Sequence, residues 1–216
     1  MVEELLLSRR FKCKHLLTTL KWFETLQKIG YAGIEQVEEV EQFELDKISQ
    51  LATPHDVLAI FYQEEMVIPF PDQKITLMLD GIRDPGNMGT IIRIADWFAV
   101  DNIICSIDSV DCYNPRVVQA TMGSLARVNI VYLDLYEYIV SRPLISVYAA
   151  TLSGKNIHSF GKVSEGMLVI GNESTGIHEK ILQLPINEIS IPRLGHAESL
   201  NAAVACGILL SAFRKS

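Results

Sequence analysis

Between residues 75 and 192 the chain keeps returning to short, nearly continuous apolar runs: ITLML (75–79), NIICS (102–106), VNIVYL (128–133), LISVYA (144–149), MLVIG (167–171) and EISIP (188–192). A strand wet on one face alternates apolar and polar residues, so runs of this kind suit strands covered on both faces. Helical patterns fill the gaps, among them GTIIRIADWF, NPRVVQATMG and SLNAAVACGILLSAF. That alternation predicts an α/β domain built on a mostly parallel sheet. Asn114 before Pro115 is a helix start, pairing a capping side chain with a residue whose missing N–H costs nothing there.

The first 62 residues read differently. HLLTTL (15–20), GIEQVEEV (33–40) and HDVLAIFY (55–62) look like strands, and TLKWFETLQKIG offers a helix ending at Gly30. Pro69 and Pro71 interrupt QEEMVIPFPDQK. The organisation expected is therefore a small unit over 1–62, a linker over 63–73 and a larger domain over 74–216.

Composition excludes several function classes. No apolar run reaches the roughly 18 residues of a membrane span, and the opening MVEELLLSRRFKCK lacks signal-peptide zoning. Cytoplasm is the expected compartment. Cys13, Cys105, Cys112 and Cys206 form no CxxC pair, so neither a zinc site nor a disulfide framework is expected. A net charge of −7 argues against gripping nucleic acid through a broad basic surface. Basic residues do crowd the start (Arg9, Arg10, Lys12, Lys14, Lys21), ahead of an acidic run from Glu35 to Asp46. The first is a weak phosphate-binding candidate and the second reads as a solvated face.

In an open α/β sheet ligands gather at the carboxyl ends of the strands, and three loops there are unusual. LDGIRDPGNMGTIIRIADWF leaves a strand at Asp80 and Gly81 and enters a helix after Asn87, with Gly86 and Gly89 permitting close backbone approach to a ligand. Asn87 also suits a plain N-cap, and Arg93 a solvent-facing helix position. The loop is neither GxGxxG nor a Walker loop, which argues against a dinucleotide-dependent oxidoreductase. LVIGNESTGI runs an apolar strand into Asn172 and Glu173, with Ser174 or Thr175 available to cap a following helix. ISIPRLGHAESLNAAVACGILL turns at Gly195 into a helix whose opening turn holds Glu198, Ser199 and Asn201, with Ser199 as a candidate N-cap. Ala202, Ala203, Ala205 and Gly207 let a neighbour approach that helix closely.

Taken together, DPGNMGTIIR, IGNESTGI and IPRLGHAESLNAAVACGILL resemble, in order and spread, the three motifs of the SpoU (TrmH-like) RNA ribose 2′-O-methyltransferases, and VVQATMGSL is similar to the stretch between the first two. The first unit resembles the ribosomal-protein-like RNA-binding domain that precedes such catalytic domains. Family members commonly carry a longer leader, so the chain is expected to begin inside that domain.

The resemblance implies a SPOUT fold whose C-terminal stretch is threaded into a trefoil knot, a homodimer, S-adenosylmethionine as methyl donor and no metal. Gly171, Asn172, Ile191, Leu200 and Asn201 match cofactor-binding positions, flanked by Ala150 and Thr151 in the loop after LISVYAAT. Asn87, Arg93, Glu173, Ser199 and Asn201 match the catalytic and RNA-positioning set. Ribosomal RNA is the expected substrate, with a transfer RNA, or a catalytically silent RNA-binding role, as alternatives.

Overall fold

A computed structural model describes residues 1–30, 32–49, 51, 53–64, 67–71 and 73–214. The chain divides into two compact units, Met1–Glu65 and Met66–Ser216.

In the first unit α1 (Val2–Ser8), β1 (Cys13–Thr18), α2 (Leu20–Ile29), β2 (Ile34–Glu39), α3 (Gln42–Ile48) and β3 (Val57–Phe61) follow one another. β1 is central, parallel to β2 and antiparallel to β3. Its Cys13 and Leu16 bury against Leu6 of α1 and Leu26 of α2. Neither α1 nor α3 was expected from the strand pattern. α3 starts inside the acidic run, where Glu41 and Glu44 form a reciprocal capping box, so charges that read as a solvated face also begin a helix. The basic stretch is largely paired: Arg10 with Glu64 at 2.7 Å, Lys12 with Glu35 at 2.5 Å and Lys21 with Asp56 at 2.9 Å. Those pairs neutralise much of the charge that a phosphate would meet.

The second unit comprises β4 (Ile75–Asp80), α4 (Pro85–Trp97), β5 (Asn102–Cys105), α5 (Pro115–Thr121), β6 (Asn129–Tyr132), α6 (Leu135–Val140), β7 (Val147–Asn156), β8 (Gly166–Gly171), α7 (Glu179–Leu182), β9 (Asn187–Ser190) and α8 (Ala202–Phe213). The sheet order is β6-β5-β4-β8-β7-β9, and every neighbouring pair is parallel. β4 is buried at all positions, as an unalternating apolar strand requires. Asn114 caps α5 through its side chain, with Pro115 next.

Two boundaries differ from expectation. β7 starts three residues late, because Ile145 N–H closes a turn on the Arg142 carbonyl, and it continues to Asn156. Ala150 and Thr151 therefore lie within a strand, at the point where its pairing with β9 shifts register. Of the expected linker, residues 65, 66 and 72 lie outside the described residues. Pro69 is buried in the second unit, its carbonyl accepting from the Tyr138 hydroxyl at 2.5 Å.

The four cysteines are buried, and none of them forms a disulfide among the described residues. Among the described residues no helix is long and apolar enough to cross a membrane.

Candidate functional site

Three loops meet at the carboxyl ends of β4 and β8. Asp84, not Asn87, caps α4: its Oδ1 accepts from Asn87 N–H at 2.7 Å, and Pro85 occupies the first helical position, where its fixed φ and missing N–H are no penalty. Asn87 is thereby displaced into the first turn with its side chain free for other partners. Gly89 serves packing rather than ligand approach. A Cβ there would fall 2.4 Å from Ala120 Cβ and 2.7 Å from the Val117 carbonyl, so the glycine lets α5 close on α4.

β8 ends in a tight turn in which Asn172 and Gly176 exchange backbone hydrogen bonds. Any side chain at Gly171 would strike the Gly176 and Ile177 backbone at 2.4–2.6 Å. Asn172 fixes the turn from inside: its Oδ1 accepts from Ser174 N–H at 2.8 Å and Thr175 N–H at 3.3 Å, while its Nδ2 donates to the Gly81 carbonyl at 2.8 Å. Ser174 and Thr175 thus belong to the turn and do not cap α7, whose N-cap position is held by His178. Glu173 sits at the tip.

At the head of α8 the cap is Asn201 and not Ser199. Its Oδ1 accepts from Ala203 and Val204 N–H at 3.0 and 3.2 Å, satisfying two of the donors a helix end leaves unpaired. This bond pattern orients the whole site. With Oδ1 committed to the helix, Asn201 Nδ2 must face outward, where it donates to Asn87 Oδ1 at 2.7 Å. Asn87 Nδ2 is then turned to the Glu173 carboxylate, to which it donates. One amide joins the three loops, from positions 86 and 114 residues away in sequence.

Beside this junction lies a cavity of about 620 Å³. Ile170, Ile189 and Leu209 give it an apolar floor, and Ala202 and Ala205 leave it room. Ala150, Thr151, Gly171, Asn172, Ile191 and Leu200, the expected cofactor residues, all line it, as do Glu173 and Ser199. Asn201 lines none of it and faces Asn87 instead. Arg93 is exposed on α4, outside the cavity and without a hydrogen bond or ion pair among the described residues.

Sequence reading gave no role to Asp80, which is 2% exposed at the end of β4 and accepts from His178 N–H and Nδ1, each at 2.7 Å. A carboxylate can only accept from Nδ1, so that ring nitrogen carries the hydrogen. The pair ties the start of α7 to β4. An aspartate ending a strand whose other residues are apolar except for Thr76 was the available signal. Among the described residues no cluster of His, Cys, Asp or Glu is arranged to hold a metal.

The family model of the SpoU rRNA Methylase family matches residues 74–211. Among curated proteins, the 23S rRNA (guanosine(2553)-2′-O)-methyltransferase RlmP of Bacillus subtilis is 28% identical over 76% of this chain and 66% of its own length. A 23S rRNA (uridine(2479)-2′-O)-methyltransferase of Streptomyces viridochromogenes is 30% identical over 68% of this chain and 55% of its own. The chain thus spans less than two thirds of the length of these curated relatives. An AdoMet-bound rRNA methyltransferase from Sinorhizobium meliloti superposes with a TM-score of 0.86 at 29% identity, covering 99% of this chain and 84% of that one. A TrmH-family protein from Porphyromonas gingivalis gives 0.85 at 34%, covering 99% and 86%.

Proposed function

The chain belongs to the SpoU rRNA methylase family, and from that premise we propose that it methylates the 2′-oxygen of a ribose in RNA, ribosomal RNA foremost, with S-adenosylmethionine as donor. The observation that carries this reading is the Asn87 junction: one side chain couples Glu173 and Asn201 at the edge of a nucleoside-sized cavity.

The cavity fits the donor. Its volume lies within the roughly 300–1,000 Å³ of small-molecule sites, and its floor is apolar. The backbone amides of residues 193–200 make no intramolecular hydrogen bond among the described residues, which leaves them for a nucleoside's polar edge. When bound, the sulfonium supplies an activated methyl with its leaving group built in. The chain's residues then have to bind, align and relieve the hydroxyl of its proton; alignment alone can contribute roughly 7–11 kcal/mol at its ceiling.

Glu173, half-buried and held by Asn87, presents its second oxygen to the ribose. Ser199 and Asn201 orient the loop over the target nucleotide. Arg93 is always protonated and so stabilises the developing alkoxide and an adjacent phosphate, while that phosphate or water accepts the proton. An Arg93→Lys variant with near-normal turnover would count against a need for the guanidinium fork.

The strand order β4-β8-β7-β9, with α8 returning to pack on α4, supports a C-terminal trefoil knot. Exposed Val204 and Ile208 on α8 support a homodimer. The first unit would act as an RNA-binding domain, and an RNA substrate suits the cytoplasm. The test is incubation of the full chain with labelled S-adenosylmethionine and RNA from cells lacking its gene. Label at a ribose 2′-O in ribosomal RNA is expected. Label confined to transfer RNA overturns the substrate, and donor binding without transfer overturns the enzyme.

A further inference from the structure

A second cavity, about 340 Å³, adjoins the first. Asn172, Thr175 and Ile177 line both, so the turn carrying Glu173 is the partition between them. The far side carries the ionisable residues Arg83, Asp108, His178 and Glu179, none of which the three motifs account for.

Fold contacts orient Asp108 and His178, whose side chains stay 41% and 66% exposed, while Arg83 is 73% exposed and exposed Glu179 accepts from Gln183 Nε2 at 3.2 Å. The Ser106 hydroxyl donates to Asp108 Oδ1 at 2.7 Å, and Arg83 donates to Oδ2 at 2.9 Å, which together hold that carboxyl below the usual carboxylate range. His178 is fixed through Nδ1 by buried Asp80, which leaves Nε2 for another partner. Gly81 beside it turns the chain with φ +67°, a conformation that favours glycine, and a Cβ there would make only ordinary contact with Asp108 and Asn172, at 3.6 and 3.8 Å.

We propose that this cavity receives the base of the nucleotide whose ribose is methylated, guanine in preference to the other bases. The proposal rests on the methyltransferase reading. The base is attached at C1′, one bond from the carbon that bears the reacting oxygen. Glu173 lines the first cavity alone, so a ribose held there reaches this cavity by directing its base across the turn formed by Asn172, Thr175 and Ile177. Charge decides against a phosphate. One guanidinium stands against the carboxylates of Asp108 and Glu179, so the lining is not positive, while phosphate sites are. A neutral ring with hydrogen-bonding edges is what such a lining recognises. Carboxylates accept from N–H groups, and guanine alone offers two different N–H positions on its pairing edge.

The test uses the full chain saturated with S-adenosylmethionine. Guanosine, adenosine, cytidine, uridine, ribose and inorganic phosphate are compared by saturation-transfer NMR, in the wild type and in Arg83→Ala and Glu179→Gln. Guanosine should bind, with its base protons receiving the transfer, and either variant should weaken it on the order of tenfold, the effect of one charge-assisted hydrogen bond. With RNA, both variants should raise KM by a similar factor and leave donor affinity and kcat within about twofold, the pattern of lost ground-state binding. Phosphate or ribose binding as well as guanosine, adenosine binding better, or unchanged guanosine binding in both variants overturns the proposal. Donor binding and wild-type methyl transfer report on the methyltransferase reading, so failure of one inference is distinguishable from failure of the other.

Discussion

Asn87→Asp is the sharpest perturbation of the junction, because it changes one donor into an acceptor at almost constant volume. The new side chain still offers an oxygen to Asn201 Nδ2, but its second oxygen faces the Glu173 carboxylate, which had accepted from Asn87 Nδ2. Two unit charges about 3 Å apart repel by roughly 5 kcal/mol at an effective dielectric near 20 and roughly 1.4 kcal/mol in bulk water. Both residues are half-buried, so a loss of about 2–4 kcal/mol at pH 8 is expected. Protonation removes the clash, since one shared proton restores a hydrogen bond between the carboxyls. The sign follows: the folded variant binds protons more tightly than the unfolded chain, so its deficit is smallest at low pH and grows as pH rises. Thermal melts of wild type and variant at pH 5 and pH 8 read this directly. At about 2–4 °C per kcal/mol for a chain of this size, the gap in Tm should widen by several degrees between the two. A gap that does not change with pH, or no gap at pH 8, refutes the direct contact of residues 87 and 173.

Three further outcomes are expected. Gly89→Ala forces a methyl into the Ala120 and Val117 contact and should cost about 1–3 kcal/mol by overpacking, seen as a lower denaturation midpoint with S-adenosylmethionine affinity retained. Asp80→Asn leaves one of the two His178 donors poorly matched in a buried place, and should lower stability by about 1–3 kcal/mol in the same assay. Burial pushes the Cys206 thiol up to about 12, so a disulfide reagent at pH 8 should modify it only after unfolding; rapid reaction in the native state would contradict its burial.

The sheet was readable because each apolar run carries its own signature. β4, β5, β6 and β8 sit within a residue or two of the segments that predicted them, and burial on both faces explains why. Helix starts were less legible because capping residues compete. Asp84, Asn87, Ser199 and Asn201 are all good caps in isolation, and the choice between them depends on where the preceding strand delivers the chain. Asp84 wins because Pro85 suits only the first helical position, and Asn201 wins over a serine two residues earlier by satisfying two N–H groups at once. The same contest hid the site's logic. An asparagine that caps a helix has been spent in a sequence reading, yet Asn201 spends only its oxygen on the cap and uses its nitrogen to orient Asn87.

Arg93 shows the converse limit. It shares a motif with Asn87, and proximity in sequence suggests one site, but six residues of helix advance it about 9 Å and turn it through about 600°. It emerges on the face of Thr90 and Trp97, all three exposed, rather than beside the cavity. If Arg93 acts on the reacting nucleotide, the RNA must reach from the Glu173 turn to this outer face of α4, or the guanidinium must reach a ribose held by another copy of the chain. The two routes separate in mixtures of inactive subunits. Arg93→Ala combined with Glu173→Ala should restore transfer if the residues serve across subunits, and should stay inactive if both act on one nucleotide within a single chain.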